Sequence, residues 1–272
     1  SAKVSRNGLK LEYFCLLFLT CSLFPHPTHG QIVASFFYNK DGTIREERDT
    51  NGDGKQDRWI YYSKEGKIER AEQDENFDGK ADILLFYDDG KLKREELSSK
   101  RDGRIDVWNF FGAKGDVERK EQDNNGDGKP DLWISYQNNQ AVRSDEDRNF
   151  DGRVDRTVYL QDGKITRVEE DTNGTGKMDS FAYFENGQLT RKGMDRKQLG
   201  KIDLWGFYQN DQLVRQEEDL NGDGKVDRTV YFQGGQLQLR DEDSRGLGWI
   251  DLIESFSQGK LAKRLKDTQG KG

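Results

Sequence analysis

Five nine-residue segments carry Asp-x-Asn-x-Asp-Gly-x-x-Asp: Asp49, Asn51, Asp53 and Asp57; Asp74, Asn76, Asp78 and Asp82; Asp123, Asn125, Asp127 and Asp131; Asp147, Asn149, Asp151 and Asp155; Asp219, Asn221, Asp223 and Asp227. Side-chain oxygens at positions 1, 3 and 5 of a tight loop can converge on one ion, glycine at 6 permits the sharp turn, and a carboxylate at 9 closes the shell. Position 7 adds a backbone carbonyl, here from Lys55, Lys80, Lys129, Arg153 or Lys225. Oxygen-only ligation selects a hard cation, and a flexible, carboxylate-rich set suits calcium over magnesium. Position 12 of the first loop is Ile60, where an EF-hand needs a bidentate glutamate, so dissociation constants on the order of 0.1 to 1 mM are expected.

One such motif is a weak signal, because Asp, Asn and Gly are ordinary turn residues. Five in register are a strong one. Equivalent residues fall at Asp49, Asp74, Ser98, Asp123, Asp147, Asp171, Asp195, Asp219 and Asp243, spaced by 24 or 25 residues, which is the mark of a repeat architecture. A sixth loop keeps Asp171, Asn173 and Asp179 but has Thr175, and reads as a weak site. In the remaining three, Lys100, Lys197 or Arg245 stands at position 3, with Leu199 and Leu247 at position 5; a side-chain cation there can neutralise the remaining aspartates without metal.

The elements that hold these loops are hairpins. Asp89-Gly90, Asp162-Gly163, Asn186-Gly187 and Gly234-Gly235 stand between alternating apolar runs, where a two-residue turn needs positive φ. In the two longer units, Lys64-Glu65-Gly66 and Ala113-Lys114-Gly115 predict a three-residue loop with a glycine bulge. The expected pairing sets Tyr62 opposite Ile68 and Ile60 opposite Arg70, and likewise Leu160 opposite Ile165 and Val158 opposite Arg167. Trp59, Trp108, Trp133 and Trp205 point to one face with Tyr61, Phe86 and their equivalents; Tyr62, Tyr87 and theirs point to the other. The arginines at 70, 94, 119, 143, 167, 191 and 215 are expected to lie across neighbouring strands, stems on apolar surface and heads near the acid two residues on. The fold class is all-β: 24-residue β-hairpin repeats forming an elongated, curved, single-layer meander sheet, with a propeller or closed spiral as the alternative. Residues 31–48 form a starting half-unit, 49–266 nine units and 267–272 a terminal remnant.

Bulk composition agrees with a thin structure. Hydrophobic residues make up 32% and charged residues 35% of the chain, mean hydropathy is −1.04, and aromatics recur at fixed spacing, which argues against disorder. Residues 1–30 differ: Lys3, Arg6 and Lys10 precede the apolar run Cys15–Phe24, and Thr28 and Gly30 offer small residues before Gln31. This reads as a signal peptide, with a docked N-terminal helix or a lipid anchor at Cys21 as alternatives. Residues 31–272 then hold 41 basic and 50 acidic residues and neither His nor Cys. Without disulfides, an exported chain with a modest core needs another staple, and bound metal is one. No basic stripe exists for nucleic acid.

The loops, such as Asp123-Asn124-Asn125-Gly126-Asp127-Gly128-Lys129-Pro130-Asp131, resemble the calcium loops of FG-GAP/VCBS and thrombospondin type 3 repeats. The hairpins, such as Tyr87-Asp88-Asp89-Gly90-Lys91-Leu92, resemble bacterial YD (Rhs-type) and MORN-like repeats. The resemblance spans 31–272 and implies a secreted or surface-exposed, metal-stiffened β-array with no reaction. The leading expectation is an exported, non-enzymatic, calcium-binding protein with a structural, adhesive or surface-interaction role, extracellular, at the cell surface or periplasmic. Its partner is an unspecified surface protein or glycan, and no segment of the mature chain spans a membrane as a helix. The alternative is a glycan-binding protein that uses the tryptophans as stacking platforms beside the acidic loops. Catalysis is the weakest reading, because His- and Cys-based chemistries are missing and no unit breaks the pattern enough to suggest a special site.

Overall fold

A computed structural model describes residues 33–270. The expected export segment and Cys21 lie outside the described residues. There are twenty strands and no helix among the described residues. Two units follow one another, one ending at Asn139 and the other beginning at Gln140. The first contains β1 (Val33–Tyr38), β2 (Ile44–Asp49), β3 (Arg58–Tyr62), β4 (Ile68–Gln73), β5 (Ile83–Asp88), β6 (Lys91–Leu97), β7 (Val107–Phe111), β8 (Val117–Gln122) and β9 (Leu132–Gln137). The second contains β10 (Gln140–Glu146), β11 (Arg156–Gln161), β12 (Lys164–Glu170), β13 (Ser180–Glu185), β14 (Gln188–Met194), β15 (Leu204–Gln209), β16 (Gln212–Glu218), β17 (Arg228–Gln233), β18 (Gln236–Glu242), β19 (Leu252–Ser257) and β20 (Lys260–Lys266).

Within each unit every strand pairs antiparallel with its neighbours in the chain, as in β3–β4–β5 and β16–β17–β18. Each unit is an open antiparallel meander of tandem hairpins, not closed into a barrel. Turn chemistry accounts for the tips: Asp89 and Gly90 have φ of 48° and 74°, and Asp162 and Gly163 have 51° and 73°, the left-handed pair a two-residue turn requires. Asn210-Asp211 does the same without glycine, at 50° and 60°. In the longer tips Ser63 N–H donates to Lys67 O and Gly66, at φ 78°, donates to Ser63 O, the expected glycine bulge.

Main-chain bonds between consecutive loops pin the far ends of hairpins β3–β4, β11–β12 and β15–β16. Asp74 N–H donates to Asp57 O, Asp171 to Asp155 O and Asp219 to Asp203 O, at 2.8, 2.8 and 2.9 Å. With turn and loop both fixed, the second strand has one residue more than the first and must bulge. Pairing therefore shifts between Tyr61 and Tyr62, and between Tyr159 and Leu160. The expected register holds near the turn, with Tyr62 opposite Ile68 and Leu160 opposite Ile165, but is corrected beyond it: Ile60 faces Ala71, Val158 faces Val168, and the arginines Arg70 and Arg167 face Tyr61 and Tyr159. The hairpin β1–β2 pairs straight through, its two strands being equal in length.

The shift sorts the faces. One face collects a thin core, Ile60, Ala71 and Leu85 with Tyr62, Ile68, Ile83, Tyr87 and Leu92 packed against them. Tyr62 Oη donates to Glu46 Oε2 at 2.6 Å; its phenol is pushed up first by desolvation and then by that bond to Glu46. The other face carries the arginines over rings: Arg94 lies 4.2 Å from the Phe86 centroid, Arg119 4.1 Å from Phe110 and Arg215 4.1 Å from Phe207. Their heads pair with the acid two residues on, Arg94 with Glu96 at 3.0 Å and Arg215 with Glu217 at 3.2 Å, as expected. Cation–π contact and ion pairing thus replace a second hydrophobic layer.

Candidate functional site: the aspartate loops

Each loop is built around its first and ninth residues. Asp49, Asp57, Asp74, Asp82, Asp123, Asp131, Asp147, Asp155 and Asp227 are buried, and Asp219 is half-buried. The first carboxylate folds the loop about itself: Asp49 accepts from Gly52 and Gly54 N–H at 2.6 and 2.8 Å, Asp123 from Gly126 and Gly128 at 2.6 and 2.7 Å, and Asp219 from Gly222 and Gly224 at 2.6 and 2.7 Å. Asp74 and Asp147 accept from the N–H of positions 5 and 6, Gly79 at 2.7 Å and Gly152 at 2.8 Å being the shorter. The ninth carboxylate caps the loop entrance, as where Asp131 accepts from Asn124 and Asn125 N–H at 2.7 and 3.1 Å.

Positions 3 and 5 are exposed. The asparagine uses both halves of its amide. Asn125, Asn149 and Asn221 accept the N–H of Asp127, Asp151 and Asp223 at 2.7, 2.9 and 2.8 Å, and donate to Asp131, Asp155 and Asp227 at 3.3, 3.0 and 3.1 Å. Asn51 turns its donor to Asp53 instead, and Asn76 donates to Arg101 O of the next loop at 2.6 Å. With Asn76 swung away, the buried Asp82 Oδ1 is left without a hydrogen-bond partner. Each aspartate at position 5 accepts the N–H of position 7, so that Lys55, Lys80, Lys129, Arg153 and Lys225 donate at 2.8 to 2.9 Å; their side chains are exposed. The sixth loop repeats the plan, with Asp171 accepting from Gly174 and Gly176 and Asn173 donating to Asp179.

The donor set fits a hard cation in kind. A carboxylate oxygen that accepts one N–H keeps a second acceptor position, and every side-chain donor in the five loops is oxygen. Among the described residues, however, no three carboxylates are already gathered around a common point.

Four features were not read from the sequence. Position 4, treated as free, has positive φ: Phe77 63°, Arg101 53°, Phe150 62° and Gln198 57°, with glycine at 52, 126, 174, 222 and 246. Those five glycines were the available signal. Second, Lys197 does not pair with its own loop; its Nζ donates to Asp219 O and Leu220 O at 2.8 and 2.7 Å, while Arg196 pairs with Asp203 at 2.7 Å. Arg245 behaves as expected, Nε donating to Asp251 at 2.7 Å. Third, Ser99 Oγ donates to Asp106 at 2.5 Å in the loop that begins with serine. Fourth, the pattern does break: Leu239 stands where the arginine column would continue, opposite Tyr231, and Ser135 and Ser255 stand where the ring would.

Of the tryptophans, Trp205 packs against Tyr183 with centroids 6.0 Å apart and lies 5.1 Å from Arg191. Trp59, Trp108, Trp133 and Trp205 are all half-buried.

No family model matches the chain, and no curated protein matches it. Among solved structures it is similar to accessory secretory protein 1, 2 and 3 of Streptococcus pneumoniae, at 22% identity over 37% of this chain and 17% of that one, TM-score 0.24. It is also similar to TcdB2-TccC3, at 11% identity over 82% of this chain and 14% of that one, TM-score 0.21. The chain thus spans less than a fifth of either.

Proposed function

We propose that this chain is a non-enzymatic repeat protein of the exported or surface-exposed class, whose five complete loops take calcium and whose role is structural or adhesive. One observation carries the reading: glycine at 6 and aspartate at 9 recur in complete and incomplete loops, while an exposed asparagine at 3 together with an exposed aspartate at 5 distinguishes the five. To hold an ion, the asparagines and aspartates at 3 and 5 would turn toward the first carboxylate, and the carbonyls of Lys55, Lys80, Lys129, Arg153 and Lys225 would join the donor set. The unpartnered, buried Asp82 Oδ1 adds support, since a buried polar oxygen without a partner is costly and a cation would satisfy it. A bound calcium would supply positive charge where acidic loops succeed one another; the chain's own residues hold the frame. The likeness of the loops to FG-GAP/VCBS and thrombospondin type 3 loops, and of the hairpins to YD and MORN-like repeats, belongs to this reading, as does export on the strength of the basic-then-apolar segment before Gln31. No helix of the described residues is long and apolar enough to cross a membrane. A glycan platform on the tryptophans has less support, because Trp205 already has Tyr183 and Arg191 against it.

The test is calcium titration by calorimetry with thermal melts in calcium and in excess chelator. At tenfold excess over Kd each site adds about 1.4 kcal/mol, and five sites on the order of 7 kcal/mol. Identical melts in both buffers overturn the calcium reading.

A further inference from the structure

The column of arginines over rings lapses where Ser135 and Ser255 replace the aromatic, and it lapses differently at the tips of the second unit's hairpins β15–β16 and β17–β18, where the ring stays and the arginine is lost. Elsewhere on this face an arginine covers the strand aromatic: Arg191 lies 4.3 Å from Tyr183 and Arg215 4.1 Å from Phe207. At Tyr231 the residue opposite on β18 is Leu239, and no arginine lies over the ring among the described residues. Tyr231 is correspondingly exposed, at 36%.

The pairing of β16 with β17 begins at Arg215 opposite Tyr231, so the tip residues beyond it have no ladder partner across the gap. The strands part there around a cleft of about 610 Å³, within the range of small-ligand sites. Its walls are Tyr231, Phe232, Val214 and the amides of Gln209, Gln212, Gln233 and Gln238, with Asn210 and Gly234. In a chain where 35% of residues are charged, none of the lining residues carries a charge. The corresponding gap in the first unit is different in kind: Lys67 and Asp89 form an ion pair between adjacent tips.

An aromatic face uncovered by loss of its arginine, set among amides that each offer a donor and an acceptor, matches one chemistry. A pyranose ring presents C–H groups to an aromatic face and vicinal hydroxyls that exchange paired hydrogen bonds with a planar amide. The absence of charge selects against anionic sugars, phosphates and charged peptides, whose desolvation nothing here would offset. A proline-rich peptide needs a row of aromatic ridges, and here one ring is exposed while Phe232 is half-buried. We infer that this cleft is a binding site for a neutral saccharide, with Tyr231 as the stacking platform and Gln212, Gln233 and Gln238 as the hydrogen-bonding groups. It requires no calcium in the loops.

The experiment is affinity electrophoresis of the full chain, in calcium, through gels containing amylose, a mixed-linkage β-glucan or galactomannan, with thermal melts as a control for folding. Retardation in at least one gel is expected, weakened about tenfold or more by Tyr231→Ala and retained by Tyr231→Phe. Leu239→Arg restores the arginine column and is expected to abolish retardation without lowering the melting temperature, an outcome that mere unfolding cannot imitate. Migration of the wild-type chain unchanged in all three gels, retardation undiminished in Leu239→Arg, or binding of a proline decapeptide in place of saccharide overturns the inference. Because the calcium reading is judged by the chelator melt alone, either proposal can fail without the other.

Discussion

The loop from Asp195 to Asp203 and the loop that follows it, Asp219 to Asp227, share a backbone but differ in what occupies it. In both, the first carboxylate accepts main-chain N–H groups ahead of it, Asp195 from Leu199 and Gly200 at 3.0 and 2.7 Å and Asp219 from Gly222 and Gly224 at 2.6 and 2.7 Å. In both, the ninth accepts from the loop entrance, Asp203 from Lys197 and Asp227 from Leu220 and Asn221. The glycine at position 6 has positive φ in each, Gly200 at 76° and Gly224 at 90°. A side chain would meet nothing at either glycine, so the constraint is torsional and not one of space. The difference lies at positions 3 and 5, Lys197 and Leu199 against Asn221 and Asp223. The acids at positions 1 and 9 are therefore structural in both loops, and on the proposed calcium reading the capacity for metal would rest on the exposed pair. In the incomplete loop Lys197 reaches the next loop and bonds the carbonyls of Asp219 and Leu220, a link that Lys80 also makes from a complete loop to Asp102 O.

The strongest way to break this comparison is at position 9. Asp203→Ala and Asp227→Ala each leave N–H donors at the loop entrance without their acceptor, and each is expected to cost about 1–3 kcal/mol in chelator, complete loop or not. Denaturant melts of the two variants check it; a large loss at Asp227 with none at Asp203 would mean that the incomplete loop is held by something else. A smaller effect sharpens the comparison. Lys197→Asn combined with Leu199→Asp converts the incomplete loop to the full motif, and calorimetry should then count one additional calcium, worth about 1.4 kcal/mol at tenfold excess over Kd. Unchanged stoichiometry would show that positions 3 and 5 are not what separates the two classes.

The smallest effect is in acid. Burial raises the Asp219 carboxyl, but the N–H groups of Gly222 and Gly224 and the charge of Lys197 outweigh it and hold it below 3.8. Asp251, in an incomplete loop, is likewise raised by burial and held below 3.8 by Ser244 and Arg245. A carboxyl depressed in the folded state binds fewer protons there than in the unfolded chain. Its contribution is complete above the unfolded value and is lost as pH falls through the folded one. Melting temperature in chelator should therefore fall below about pH 4, and Asp219→Asn and Asp251→Asn should each flatten that fall; a melting temperature that rises on acidification would contradict the assignment.

Much of this molecule is written locally. The 24-residue period, the turns at Asp89-Gly90 and Asp162-Gly163 and the loop ends at Asp49 and Asp57 depend on residues within a few positions of one another, where torsional preference and side-chain-to-backbone bonds act. The arginine-to-acid pairs two residues apart were legible for the same reason. What sequence did not reveal is the bulge in hairpins such as β3–β4 and β11–β12. It arises because the turn fixes one end of the pairing while a main-chain bond between consecutive loops, Asp171 to Asp155, fixes the other. The surplus residue of the second strand becomes visible only when both ends are known. That one-residue shift moves Arg70 from Ile60 to Tyr61 and Arg167 from Val158 to Tyr159. It thereby decides, through the period-two alternation of strands, which face becomes the thin apolar core and which becomes a stack of guanidinium groups on rings.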